Sequence, residues 1–225
     1  MIRHTTLFSL LNRLGLTFVL TATLPLCAAA SAPEVLTPGT YTNEEEVYFA
    51  KEAGRTAPPW IGIRVSREAG KTIISGVDAY GQPVKNGYAI IASSADTLTA
   101  NIDKDRKTTL RRARDVTCWG TVPKAQKKAD GSEDWYFVPG LKMHDQGGRV
   151  RFGGGTSGAP EVILRMRNVV WASGNNRPSV VLYVHTPAEP ERAVSYVWGD
   201  PDIGRLGVNL RWMQASCTIS KGEKL

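Results

Sequence analysis

The chain has 225 residues, with 28 Lys and Arg against 21 Asp and Glu, a formal charge of +7 and 42% hydrophobic residues. That is enough sequence for one domain with a real core. The basic residues are spread along the chain, which excludes a dedicated nucleic-acid surface, and the modest positive excess favours small anionic partners instead.

The first segment reads as an export leader. Arg3, His4 and Arg13 form a basic start, residues 14–26 are an apolar run, and Ala28, Ala29 and Ala30 supply the small residues that a signal peptidase reads. Cleavage after Ala30 leaves Ser31 at the new N-terminus, whereas cleavage after Ala32 would put Pro33 beside the cut. A lipoprotein box wants a small residue before its cysteine, and Leu26 stands before Cys27. Residues 14–32 fall just short of the roughly 20 residues a membrane span needs, and Pro25 with the small-residue end argues for cleavage. Residues 1–30 are therefore predicted to be a signal peptide and the mature protein to be periplasmic or secreted. Losing Arg3 and Arg13, with no acid, lowers the charge from +7 to +5. No later apolar run approaches a span, so no transmembrane segment is expected after cleavage. A single β domain is expected over residues 33–220, with 221–225 as a frayed tail.

One helix is signalled, over residues 43–53. Thr42 or Asn43 can cap it, Glu45 or Glu46 stands in the capping-box position, and the run of acids suits the positive end of the helix dipole. Gly54 offers a stop and Pro58-Pro59 prevents continuation. Tyr48 or Phe49 should turn inward.

From Ile61 the apolar period becomes two. Ile61, Ile63 and Val65 alternate with Gly62 and Arg64, residues 66–71 form a turn-rich connector, and short strands are predicted near 72–74, 86–92, 97–103 and 108–118. The basic stretch 124–131 reads as a solvated hairpin loop, and residues 149–152 as a short strand between glycine turns. Val162, Leu164, Met166 and Val170 share one strand face and Arg165, Arg167, Val169 and Trp171 the other. Val180, Leu182 and Val184 oppose Val181, Tyr183 and His185; Val194, Tyr196 and Trp198 are aligned; Val208, Leu210 and Trp212 oppose Asn209, Arg211 and Met213. The expected fold class is all-β, an antiparallel lipocalin-like barrel or sandwich with one short N-terminal helix. Cys118 and Cys217 are the two cysteines left in the mature chain, and in an oxidising compartment they are expected to form one disulfide.

Four constellations could carry chemistry. Residues 155–160, Gly-Thr-Ser-Gly-Ala-Pro, look like the stretch around the nucleophile of chymotrypsin-like proteases. His144 and His185 stand too close or in the wrong chain order to serve Ser157, so a serine hydrolase is the lesser alternative and no catalytic residue is assigned. The same glycines lack the Gly-Lys-Ser/Thr of a phosphate loop. Asp200-Pro201-Asp202 and the Asp103, Asp105 pair supply too few oxygens for calcium and read as turns; no metal or cofactor is predicted. His144 itself reads as an exposed turn histidine.

The remaining candidate is a basic, aromatic-lined site. Arg165 and Arg167 alternate along one strand and point the same way, about 7 Å apart. If that face is enclosed, the two guanidinium groups can hold an anionic head group against Trp171, Tyr183 or Trp198; if it is open, they are ordinary strand arginines. The predicted function is binding of a small or amphipathic, anionic ligand without catalysis, with an envelope interaction module as the alternative.

The opening Gly39-Thr40-Tyr41-Thr42-Asn43-Glu44-Glu45-Glu46 resembles the start of CpcT/CpeT-type proteins, with Glu46 where that family has glutamine. Cys118-Trp119 and residues 140–148 are more distantly similar to later parts of the pattern. The resemblance implies a lipocalin-like β-barrel entered through a helix. The cyanobacterial members attach bilins in the cytoplasm, which an export leader does not fit.

Overall fold

In the computed structural model, residues 36–85, 87–104, 106–170 and 177–221 are described; the expected leader, Cys27, Asp105 and Trp171 lie outside them. The described chain is mostly β and antiparallel throughout. Its first half forms a seven-stranded sheet from β1 (Gly39–Thr42), β2 (Gly62–Glu68), β3 (Lys71–Val77), β4 (Pro83–Val84), β5 (Ile90–Ser93), β6 (Thr97–Asn101) and β7 (Lys107–Arg112), in the order β4-β3-β2-β1-β7-β6-β5. Tyr41, Ile63, Val65, Leu98 and Leu110 meet on one face, as the period-two pattern requires, and with Ile61 form a buried cluster.

The second half is a meander of eight strands: β8 (Asp115–Pro123), β9 (Trp135–His144), β10 (Arg149–Phe152), β11 (Val162–Val170), β12 (Pro178–His185), β13 (Ser195–Gly199), β14 (Arg205–Leu210) and β15 (Met213–Ile219). They divide into two sheets, β14-β15-β8-β9 and β10-β11-β12-β13, so the last strand returns to pair with the first of the eight. The two sheets share one core. Val116, Val122, Met213 and Ala215 from one meet Val162, Leu164, Met166, Val180, Leu182 and Val184 from the other. The interior is filled by side chains. Cys118 and Cys217 face each other across the closing β15–β8 pair with their sulfurs 2.19 Å apart, at disulfide distance.

Several expected boundaries shift, each for a local reason. A strand precedes the helix, and α1 runs over Glu44–Glu52. Residues 66–71 are strand up to a tight turn at Ala69 and Gly70, both with positive φ, the geometry that matches the twist of a two-residue hairpin. The strand expected over 108–118 is two strands in different sheets; the chain changes sheets at Ala113, whose N–H donates to Thr40 O. The alternation expected through Val208–Met213 breaks at Arg211-Trp212, the turn that pairs Leu210 with Met213, so Met213 lands in the core. Strand β9 has no clean alternation in the sequence because it carries a bulge: Cys118 pairs with Leu141 and Gly120 with Val138, leaving Pro139 and Gly140 opposite Trp119. Gly120 has no side chain for a reason, since a Cβ there would meet the Phe152 ring at 2.5 Å.

Candidate functional site

The site begins with the three acids that open α1. Successive helix positions lie about 100° apart, so three consecutive side chains radiate in three directions. Glu46 accepts from Thr108 Oγ1 on β7, Glu45 pairs with Arg111 at 2.9 Å and accepts from Gln146 Nε2 at 3.1 Å, and Glu44 turns onto β11. The expected capping box does not form. Asn43 makes no side-chain cap bond; its Oδ1 accepts from Ile61 N–H and its Nδ2 donates to Pro59 O, tying the helix entry to the segment that leads into β2. Tyr48 is the inward aromatic and Phe49 is exposed.

Glu44 is 1% exposed, and its Oε1 accepts from Arg165 Nη2 at 2.7 Å and stands 2.8 Å from Arg167 Nη2. Arg167 also stacks its guanidinium over the Tyr48 ring, 4.4 Å from the centroid, while Tyr48 OH donates to Val170 O. The two arginines thus share a strand face as expected, opposite Val162, Leu164 and Met166. That face is neither the inside of a barrel nor open to solvent: α1 lies over it, leaving the arginine side chains 16% and 15% exposed. Burial presses the Arg165 pKa downward, and Glu44 opposes that pressure.

A buried turn completes the polar core. His144, Asp145, Gln146, Gly147 and Gly148 connect β9 to β10 and are all buried, so the expectation of an exposed His144 is corrected. The turn is inside because its backbone is satisfied there: Gly147 N–H donates to Met166 O, Gly148 O accepts from Met166 N–H, and Gln146 O accepts from Thr42 Oγ1. Asp145 binds Arg114 at 2.6 Å. Gly147, at φ +81°, lies so close beneath Glu44 that a Cβ would fall 2.4 Å from Oε2. Burial lowers the His144 pKa from 6.5 to about 4, against the raising influence of Asp145 and Glu44.

Next to this core opens a cleft of about 350 Å³, lined on its charged side by Glu44, Arg149, Arg165 and Glu191 and elsewhere by residues that include Trp60 and Tyr80. Grooves of about 450 and 480 Å³ elsewhere, one along Arg112–Asp115 and one beside Glu46 and Lys107, have no orphaned buried polar atom in their lining. This cleft does. Glu44 Oε2 and Arg165 Nε are buried without a hydrogen-bond partner, as is Arg167 Nε beside them. Native proteins leave few such atoms, and here they are grouped beside a cleft.

Among the described residues, Arg165 alone of the five predicted ligand-binding residues lines the cleft, while Arg167 and Tyr183 share its side of the sheet. Arg165 pairs directly with Tyr183 on β12, and Arg167 sits two pairs along, opposite Val181. Trp198 lies on the same side of the sheet, opposite Val181 on edge strand β13, but is 56% exposed and does not line the cleft. Trp171 is outside the described residues. Sequence reading missed Glu44, Arg149 and Glu191; the one available signal was the repeated Arg-x-Arg of 149–151 and 165–167 on neighbouring strands, of which β10–β11 pairing sets Arg149 opposite Arg165. Ser157 is in a short 3-10 turn and exchanges hydrogen bonds with Ala159, and neither His144 nor His185 bonds to it. Among the described residues no helix is long and apolar enough to cross a membrane, and no group of three or more His, Cys, Asp or Glu could hold a metal ion. Comparison with known proteins finds no matching family model, curated protein or solved structure.

Proposed function

We propose that this is an exported β protein that binds a small or amphipathic, anionic ligand without a chemical step, and that it does so in the cleft between α1 and strands β10 and β11. The observation that carries the reading is the concentration of sheltered cation there: Arg149 and Arg165 line the cleft and Arg167 stands behind them on Glu44, three positive charges against the single buried carboxylate of Glu44. A guanidinium sheltered from water binds an anion far more strongly than one on the surface. Val47, Trp60 and Tyr80 give the cleft an apolar wall for the rest of the ligand. The meander order of β8–β15, its β15–β8 closure and the resemblance of residues 39–46 to CpcT/CpeT-type proteins support a lipocalin-like origin. The ligand seat we infer is lateral, because the interior between the sheets is packed.

Native mass spectrometry of protein released gently from exported material tests this. A co-purifying acid, displaced on denaturation, is the expected result; a bare protein that gains no thermal stability from a panel of carboxylates and phosphates would overturn it. An envelope interaction module is the second reading, favoured by Tyr196 and Trp198 on the edge strand and by Trp119 and Phe137, all exposed. Under that reading, substituting these aromatics would abolish capture of an envelope partner while leaving small-molecule titrations flat.

A further inference from the structure

The cleft already contains a carboxylate of the protein's own. Glu191 stands on the turn that follows β12 and accepts from Arg149 Nη2 through both oxygens at 2.8 Å, with Arg165 Nη1 3.9 Å away. The two partners are unequal: the Arg149 side chain is 10% exposed and that of Glu191 is 75% exposed. Residues 187–192 are exposed throughout. The turn closes on itself through the Thr186–Glu189 bridge and the Glu189–Arg192 ion pair, and Arg149 reaches it a second time through Pro190 O. Arg149 holds Glu191 below the usual carboxylate range, so the carboxylate is charged at neutral pH.

Leaving a buried guanidinium unpaired is costly, whereas returning an exposed carboxylate to water is not. Arg149 therefore needs an anion, and Glu191 is the partner that can be exchanged. We propose that Glu191 is a displaceable plug, and that the ligand carries a carboxylate which takes its place on Arg149 and Arg165 while an apolar body lies against Val47, Trp60 and Tyr80. This rests on the ligand-binding reading above and specifies its chemistry. A carboxylate is favoured because the exchange preserves charge and matches the geometry that Glu191 occupies. The 186–194 turn would swing outward on binding, since Arg149 is its main tie to the cleft.

Calorimetric titration of the leaderless protein with sodium decanoate, and with decanol as the neutral match, tests the plug. Decanoate should bind at least tenfold more tightly than decanol, and Arg149→Ala should weaken decanoate at least tenfold. Glu191→Gln and Glu191→Ala should both tighten decanoate about three- to tenfold by removing the competitor; because both leave Arg149 without its partner, their thermal unfolding is measured first and titration is run where each variant is folded. Unchanged or weaker binding in both Glu191 variants, with Arg149 still required, would overturn the plug and leave the ligand-binding reading standing. Binding that ignores Arg149 would likewise overturn the plug, and no saturable binding to the parent or to Glu191→Ala would overturn the carboxylate reading with it.

Discussion

Glu44 is the residue on which most of the polar core depends. It is the buried counter-charge of both Arg165 and Arg167, so Glu44→Ala should cost about 3–5 kcal/mol in denaturant unfolding by leaving two sheltered cations unpaired. Replacing all three charges with Ala, Met and Met should restore much of that loss; a triple variant no more stable than Glu44→Ala would show that the ion pairs are not the reason. His144 makes a pH prediction. Its folded pKa lies below its unfolded value, so above pH 6.5 neither state is protonated and stability is full. Between pH 6.5 and about 4 the unfolded histidine takes up a proton that the folded one refuses, and stability falls, by about 3 kcal/mol in total. Urea midpoints from pH 7 to 4.5 should therefore fall less steeply in His144→Gln than in the parent. Parallel curves would exclude this histidine as the cause.

The meander gains most as an element from its closing pair. Cys118 and Cys217 lie 99 positions apart and join the strands that begin and end the eight-strand path. Loop-entropy arguments give about 4–5 kcal/mol for a crosslink over so long a loop, an upper figure when the unfolded chain keeps structure. The double Cys118→Ala, Cys217→Ala variant should lose about 2–5 kcal/mol and show no further change on adding reductant, whereas the parent should be sensitive to reduction. A parent indifferent to reductant would contradict the bond. Helix α1 works differently. Its nine residues are too few to be stable alone, and tertiary ties hold it: Asn43 to Pro59 and Ile61 ahead of β2, Glu45 and Glu46 to β7, Glu44 and Tyr48 to β11.

Across the whole molecule, the helix and the buried 144–148 turn join the seven-stranded sheet to the meander, and the proposed cleft opens along that joint. If the protein is exported as proposed, Edman or intact-mass analysis should find Ser31 at the N-terminus of the mature chain and no lipid; retention of residues 1–30 would place it elsewhere. The amino-acid sequence carries what local periodicity and chemistry can encode: mostly antiparallel β structure, a short helix opened by acids, the strand at 149–152, the two faces of the strand through Arg165 and Arg167, and the pairing of Cys118 with Cys217. It misjudged His144 and the ends of several strands, because turn residues in the interior look the same as turn residues on the surface. Only the tertiary structure decided what covers the arginine face. Alternation tells that the two sides of a strand differ in polarity, but the partner that neutralises Arg165 lies 121 positions away on a helix, and no local pattern carries that distance.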